Sequence, residues 1–322
     1  MSRPDVTRGL LKSVSRSFYL SIRIMPKKLR EPIALAYLMA RISDTIADTA
    51  SVPSQTRLRR LGDFEGIVRG NPSPRAVTSI QRDIVPEHDG EVHLIASIQS
   101  VIDRFTLLDM WEWKETSELL GNIIRGQGND LETFNQPSHV IALPDAAALE
   151  DYIYLVAGCV GEWWTRLCFH HLPNYSRIGE DQLMQHSDAF GKALQLVNIL
   201  RDFPNDIAAG RCYLPGDELR EINVEPLTLR TNPANAEPIY FRWLTRAREY
   251  LEQARLYIAA VQSRRVRMAC YIPWRLAGET LDLIKVNNPL YTGEKVKVSR
   301  KQVRAAMWSA LRVAFSNKPL GA

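Results

Sequence analysis

The sequence predicts an all-α domain, on three observations. Helical periodicity runs through most of the 322 residues, convincing alternating strand patterns are missing, and the intervening stretches are rich in proline, glycine and asparagine. Hydrophobic residues at 45% and charged residues at 24% are ordinary for a globular chain, and the length is ample for a sizeable core.

In chain order, a helix over about 9–23 precedes one over 27–50, in which Ala34–Ala40 is apolar around most of its girth. A helix over 54–69 ends at GNPSPRAVTSIQRDIVPEHDGE (70–91), and one over 93–125 ends at GQGNDLETFNQPSHVIALPDA (126–146). Helices over 146–171 and 180–209 contain Leu155–Trp164 and Leu194–Phe203, again apolar nearly all round, as helices inside a large bundle are. After PGDELREINVEPLTLRTNPANAEP (215–238) come helices over 237–263 and 270–286, then NNPLYTGE (287–294) and a last helix over 300–317. None of the breaks is a flexible Gly/Ser linker and no repeat of fixed period occurs, so 1–322 reads as a single domain with a central cavity.

A net charge of +5 and a pI near 9.0 point to an anionic partner, with nucleic acid, a membrane surface and a phosphorylated substrate all open. No Cys/His cluster or aromatic-basic motif supports a purely metal-binding or nucleic-acid role. Cys159, Cys168, Cys212 and Cys270 are far apart, which reads as reduced, buried thiols in a cytoplasmic protein. MSRPDVTRGLLKSVSRSF lacks the apolar core of a secretory signal, and PIALAYLMA (32–40) falls well short of the roughly 20 residues of a membrane span. Peripheral contact with the inner face of a membrane stays open, and oligomeric state is not legible.

Two polar stripes interrupt the greasy helices. In AYLMARISDTIAD (36–48), Tyr37, Arg41, Asp44 and Asp48 share a face; in QLVNILRDFPND (195–206), Gln195, Asn198, Asp202 and Asp206 do. With 17 aspartates in the chain, about one DxxxD pair is expected by chance, so spacing alone decides nothing. Context decides more: a carboxylate inside a bundle costs several kcal/mol unless it is paired. Four carboxylates facing one cavity make sense if they hold Mg²⁺, which binds through one or two carboxylates plus substrate phosphates. Arg16, Arg41, Arg201 and Arg211 lie on or beside the stripes and suit phosphate oxygens. A carbocation left by departing diphosphate needs a dry pocket, for which Phe18, Tyr19, Tyr152, Tyr154, Trp163 and Trp164 are candidates beside their plainer reading as core. Pro204 predicts a kink or distorted last turn between Asp202 and Asp206, with Gly210 closing the helix.

SRSF (15–18), RISDTIAD (41–48), YIYLVAGCVGE (152–162) and QLVNILRDFPND…GRCYLP (195–215) resemble, in that order, the squalene/phytoene synthase family, over about 13–317. The resemblance implies an all-α isoprenoid-synthase fold that joins two prenyl diphosphates head to head with Mg²⁺. By position, Asp44, Asp48, Asn198, Asp202 and Asp206 would hold the metal and the diphosphates. Ser15, Ser17, Arg41, Gln195, Arg201 and Arg211 would contact diphosphate or orient the site, and Tyr152 would handle a proton or the leaving group. Phe18 would line the pocket; Val156, Ala157, Gly158 and Gly161 would let their helix approach the prenyl chains, or serve helix packing alone.

IPWRLAGETLDLI (272–284) and YTGEKVKVSRKQ (291–302) look more like the squalene-synthase end of the family than the phytoene end. That implies condensation of two farnesyl diphosphates to presqualene diphosphate and reduction by NADPH to squalene, with Lys295 and Lys297 as cofactor contacts; a basic solvated loop is the competing reading. Dehydrosqualene and phytoene synthase, which need no reductant, are the alternatives within the family. A terpene cyclase is the alternative outside it, and the duplicated DxxxD and the VAGxVGE segment argue against that.

Overall fold

The computed structural model describes residues 6–14, 22–136 and 138–315. Its contacts cluster into two compact units, Met1–Glu132 and Thr133–Ala322.

In the first unit the helices are Val6–Val14, Lys27–Asp48, Ser54–Val68, Ala76–Asp83, Asp89–Ala96, Ile98–Phe105 and Met110–Thr133, the last running one residue past the boundary. The Lys27–Asp48 helix buries Leu35, Leu38, Met39, Ile42 and Ile46, at the three- and four-residue spacings of one face. This leaves Arg41, Asp44 and Asp48 on the remaining arc. Two readings are corrected here. The 70–91 break contains the Ala76–Asp83 helix, which buries only Ala76 and Ile80 and so leaves no periodic signal. The 93–125 reading is three helices, and the last continues through GQGNDLET to Thr133, absorbing two glycines at about 1 kcal/mol each.

In the second unit the long Glu180–Ala208 helix packs against Cys159–His171, Glu237–Ala260 and Arg264–Val286. Leu196, Leu200 and Phe203 share a core with Tyr240, Leu244 and Ala247. Ala146–Ile153 passes into Cys159–His171 through one π-helical turn, Tyr154–Gly158. Such turns cost regular hydrogen bonding and concentrate at functional positions. Short helices Gly216–Glu221, Pro226–Arg230, Pro233–Ala236 and Pro289–Thr292 fill two of the expected breaks, and Arg300–Phe315 packs on Arg264–Val286.

The sequence carries no convincing strand pattern, yet Ile141–Leu143 pairs in parallel with Arg211–Pro215. Ile141 stands opposite Arg211, and Ala142 opposite Cys212, before a bulge. Strands of three and five residues are too short to alternate visibly, and Pro215 is tolerated at the end of the ladder. No helix among the described residues is long and apolar enough to cross a membrane.

Candidate active site

Asp44 is surrounded by protein, yet 42% of its side chain stays accessible, so small solutes can reach it. Burial, and next the charge of Asp48 one turn on, push its carboxyl up to about 6. Two contacts oppose that: Arg41 Nη1 at 3.9 Å and Gln127 Nε2, which donates to Asp44 Oδ1 at 2.5 Å. Arg41 is divided between Asp44 and a closer ion pair with Glu91. Asp48 ends its helix and is exposed. Two carboxylates one turn apart, one of them pushed up by burial and its neighbour's charge, are oxygen donors of the kind a divalent cation takes.

On the Glu180–Ala208 helix, Gln195, Asn198, Asp202 and Asp206 form a half-buried stripe while Leu196, Val197, Ile199, Leu200, Phe203 and Ile207 are buried. Asn198 Nδ2 lies 3.5 Å from Gln195 Oε1. Burial would raise the Asp202 carboxyl, but three donors outweigh it and hold it below the usual carboxylate range. Arg201 grips it in a fork, Nε to Oδ1 at 2.9 Å and Nη2 to Oδ2 at 2.7 Å. Lys295 Nζ reaches Oδ1 at 2.7 Å. Asp206 sits 3.6 Å from Arg211 Nη2. In this stripe protein cations already occupy the carboxylates.

Pro204 does not end the helix, which continues to Ala208 before Gly210 turns the chain with φ 84°. The carbonyl that Pro204 leaves unpaired is that of Leu200, and the buried Tyr240 hydroxyl donates to it at 2.7 Å. Tyr240 restores the missing bond from a neighbouring helix.

Just before the π-turn, Tyr152 stacks on Tyr213 with centroids 4.9 Å apart, their hydroxyls 3.5 Å apart. The Tyr154 hydroxyl donates to Glu162 Oε2 at 3.1 Å; burial and this carboxylate push it up to about 12. Val156 and Ala157 are half-buried and Gly158 is buried. A Cβ at Gly161 would meet the Ser187 carbonyl oxygen at 1.9 Å, and one at Gly191 the Ala157 carbonyl oxygen at 1.9 Å. These glycines let two helices touch backbone to backbone, which favours the packing reading of the small residues.

Of the remaining expected residues, Lys297 is exposed, and Ser15, Arg16, Ser17, Phe18 and Tyr19 lie outside the described residues. Gln127 and Glu91 were missed, because their segments were read as breaks.

A sequence model described as squalene/phytoene synthase matches residues 11–302. The chain belongs to the squalene/phytoene synthase family. The squalene synthase BSS of Botryococcus braunii is 27% identical over 92% of this chain and 63% of its own length. A presqualene diphosphate synthase of Rhodopseudomonas palustris is 31% identical over 66% and 62%. A bifunctional lycopene cyclase/phytoene synthase of Leptosphaeria maculans is 30% identical over 77% and 41%. The chain thus spans from about two fifths to under two thirds of the length of these relatives. Among solved structures, a ligand complex of TcSQS superposes with a TM-score of 0.77 at 20% identity, covering 96% of this chain and 86% of that one. The squalene synthase HpnC from Alicyclobacillus acidocaldarius gives 0.62 at 20%, covering 88% and 92%. At these identities the likeness establishes the all-α fold.

Proposed function

We propose that this chain joins two farnesyl diphosphates head to head to presqualene diphosphate and then reduces that product to squalene. The observation that carries the reading is the pair of aspartate stripes on otherwise apolar helices, one with the Asp44 carboxyl pushed up by burial and by Asp48, the other with Asp202 held by Lys295 and Arg201. Both fit Mg²⁺–diphosphate, with Asp44, Asp48, Asn198, Asp202 and Asp206 as the oxygen ligands. Bound Mg²⁺ would stabilise charge on departing diphosphate oxygens.

In the first step the C–O bond of one substrate breaks and diphosphate leaves with the electron pair. The double bond of the other attacks the allylic cation, and loss of a proton closes the cyclopropane. Arg41, Arg201 and Arg211 steady the diphosphates. Buried apolar side chains around the stripes keep water from the cation. The Tyr152 hydroxyl, beside that of Tyr213, holds or accepts a proton. In the second step the other diphosphate leaves and the cation rearranges; NADPH, which Lys295 and Lys297 would hold, would supply the hydride that gives squalene. Lys297 is exposed and open to a cofactor phosphate, whereas Lys295 must first leave Asp202.

That engagement of Lys295 favours a second reading, a reductant-free dehydrosqualene or phytoene synthase, and a phytoene synthase domain is among the relatives. One experiment separates the readings: product analysis with farnesyl or geranylgeranyl diphosphate, each with and without NADPH. Squalene formed only with NADPH is expected. Squalene formation that ignores NADPH, or turnover of the longer substrate alone, contradicts the proposal.

A further inference from the structure

The basic character of this chain is concentrated at one end. Residues 295–322 contain seven lysines and arginines and no aspartate or glutamate, against a net +5 for the chain, so the rest is slightly acidic at −2. Within this segment lies the Arg300–Phe315 helix, which packs on Arg264–Val286 and buries Ala306 and Ala310. The two alanines occupy a narrow strip, so the opposite arc of the helix faces outward.

That outward arc is not simply polar. Trp308 is 68% exposed, Met307 44% and Leu311 42%. At 100° per residue they fall on the same side as Arg304, with Arg300, Lys301 and Arg312 flanking them. A solvated helix face has no use for an exposed indole beside two long apolar chains. Large apolar side chains interleaved with cations are instead the pattern of a helix lying in a membrane interface, where indole sits at headgroup level and cations meet anionic lipid.

We propose that the Arg300–Phe315 helix docks this protein on an anionic lipid surface, inserting Trp308, Met307 and Leu311 while Arg300, Lys301, Arg304 and Arg312 meet the headgroups. A nucleic-acid backbone would use the cations but leave the apolar side chains idle. A second copy of the chain would cover the apolar side chains but bring four more cations against four. The inference rests on this helix alone and stands or falls apart from the catalytic reading.

The test is flotation of the full chain with vesicles of phosphatidylcholine, alone or with about one third phosphatidylglycerol, at low and near-physiological salt. Binding is expected to the anionic vesicles only, weakening as salt rises. Arg304→Glu with Arg312→Glu should lower it by about tenfold or more. Trp308→Ser should lower it several-fold at low salt and remove a blue-shifted indole signal on binding. These positions are exposed, so circular dichroism and melting temperature should be those of wild type. No binding, equal binding to neutral vesicles, or equal binding by the charge-reversed variant would overturn the proposal. So would a dimer in light scattering that Trp308→Ser dissolves, which would assign the face to a second copy.

Discussion

The Tyr240 hydroxyl donates to the Leu200 carbonyl at 2.7 Å, occupying the acceptor that Pro204 cannot reach. A proline in a helix interior removes one bond and strains its neighbours, at about 3 kcal/mol. Here a second helix supplies the donor, and the helix that carries Asp202 and Asp206 runs on unbroken. Tyr240→Phe should therefore cost about 1–3 kcal/mol, the penalty of a buried acceptor left unpaired. In a Pro204→Ala background the regained N–H satisfies the same carbonyl, and the loss should shrink. Equal losses in both backgrounds, measured by chemical denaturation, would show that Tyr240 does not compensate Pro204.

Asp44→Asn is expected to abolish formation of presqualene diphosphate while leaving the fold intact. Burial and Asp48 already disfavour the charged carboxylate, so a neutral amide of the same shape asks nothing more of the protein. Melting temperature should be unchanged or higher, and diphosphate release should fall to background. Near-normal turnover in this variant would sink the assignment of the stripe.

Lys295→Ala addresses the other stripe. The ammonium lies on a carboxylate assigned to Mg²⁺, so it and the metal compete for the same oxygens. Mg²⁺ binding to the substrate-free protein, followed by calorimetry, should tighten several-fold in the variant. The stability change should stay under about 1 kcal/mol, since the pair is partly exposed. Weaker Mg²⁺ binding would mean that Lys295 does not compete with the metal.

Gly161→Ala and Gly191→Ala should each destabilise by about 1–3 kcal/mol or more, because the added methyl meets a backbone carbonyl that has nowhere to go. Gly278→Ala is the contrast. It sits in the Arg264–Val286 helix with nothing near the added methyl and should stabilise by up to about 1 kcal/mol. Thermal melts of the three variants check both signs.

All four thiols are buried, and burial pushes Cys159, Cys212 and Cys270 up to about 12. An ordinary thiol gains reactivity about tenfold per pH unit below its pKa of about 8.5. In the folded protein these side chains stay protonated and shielded, so labelling with a disulfide reagent should be negligible throughout pH 7 to 9. Unfolding should release all four. Rapid labelling of even one thiol in the native protein would contradict this.

The long, strongly periodic helices were legible because each buries a continuous face: Lys27–Asp48, Glu180–Ala208 and Glu237–Ala260 fall within about three residues of expectation. Their polar stripes were legible for the same reason, as exceptions to an apolar pattern. What escaped depends on contacts distant in sequence. Gln127 is 83 residues from Asp44, Glu91 is 50 from Arg41, and Tyr240 is 40 from Leu200. Nothing local distinguishes such side chains from surface polar groups. The π-turn at Tyr154–Gly158 escaped because a single inserted residue barely shifts the periodicity around it.

The small parallel ladder has a dynamic consequence. Helix ends ordinarily fray, because their last carbonyls lack partners. Directly beyond Asp206 the Gly210 carbonyl accepts a bond from the Ile141 amide at 3.0 Å, and Arg211 enters its register with Ile141. The last turn of the acidic helix is thereby clamped to a segment some seventy residues earlier in the chain. Amide protons at Ala208–Cys212 should exchange with solvent far more slowly than a helix terminus normally allows, keeping Asp206 and Arg211 in one fixed relation between turnovers.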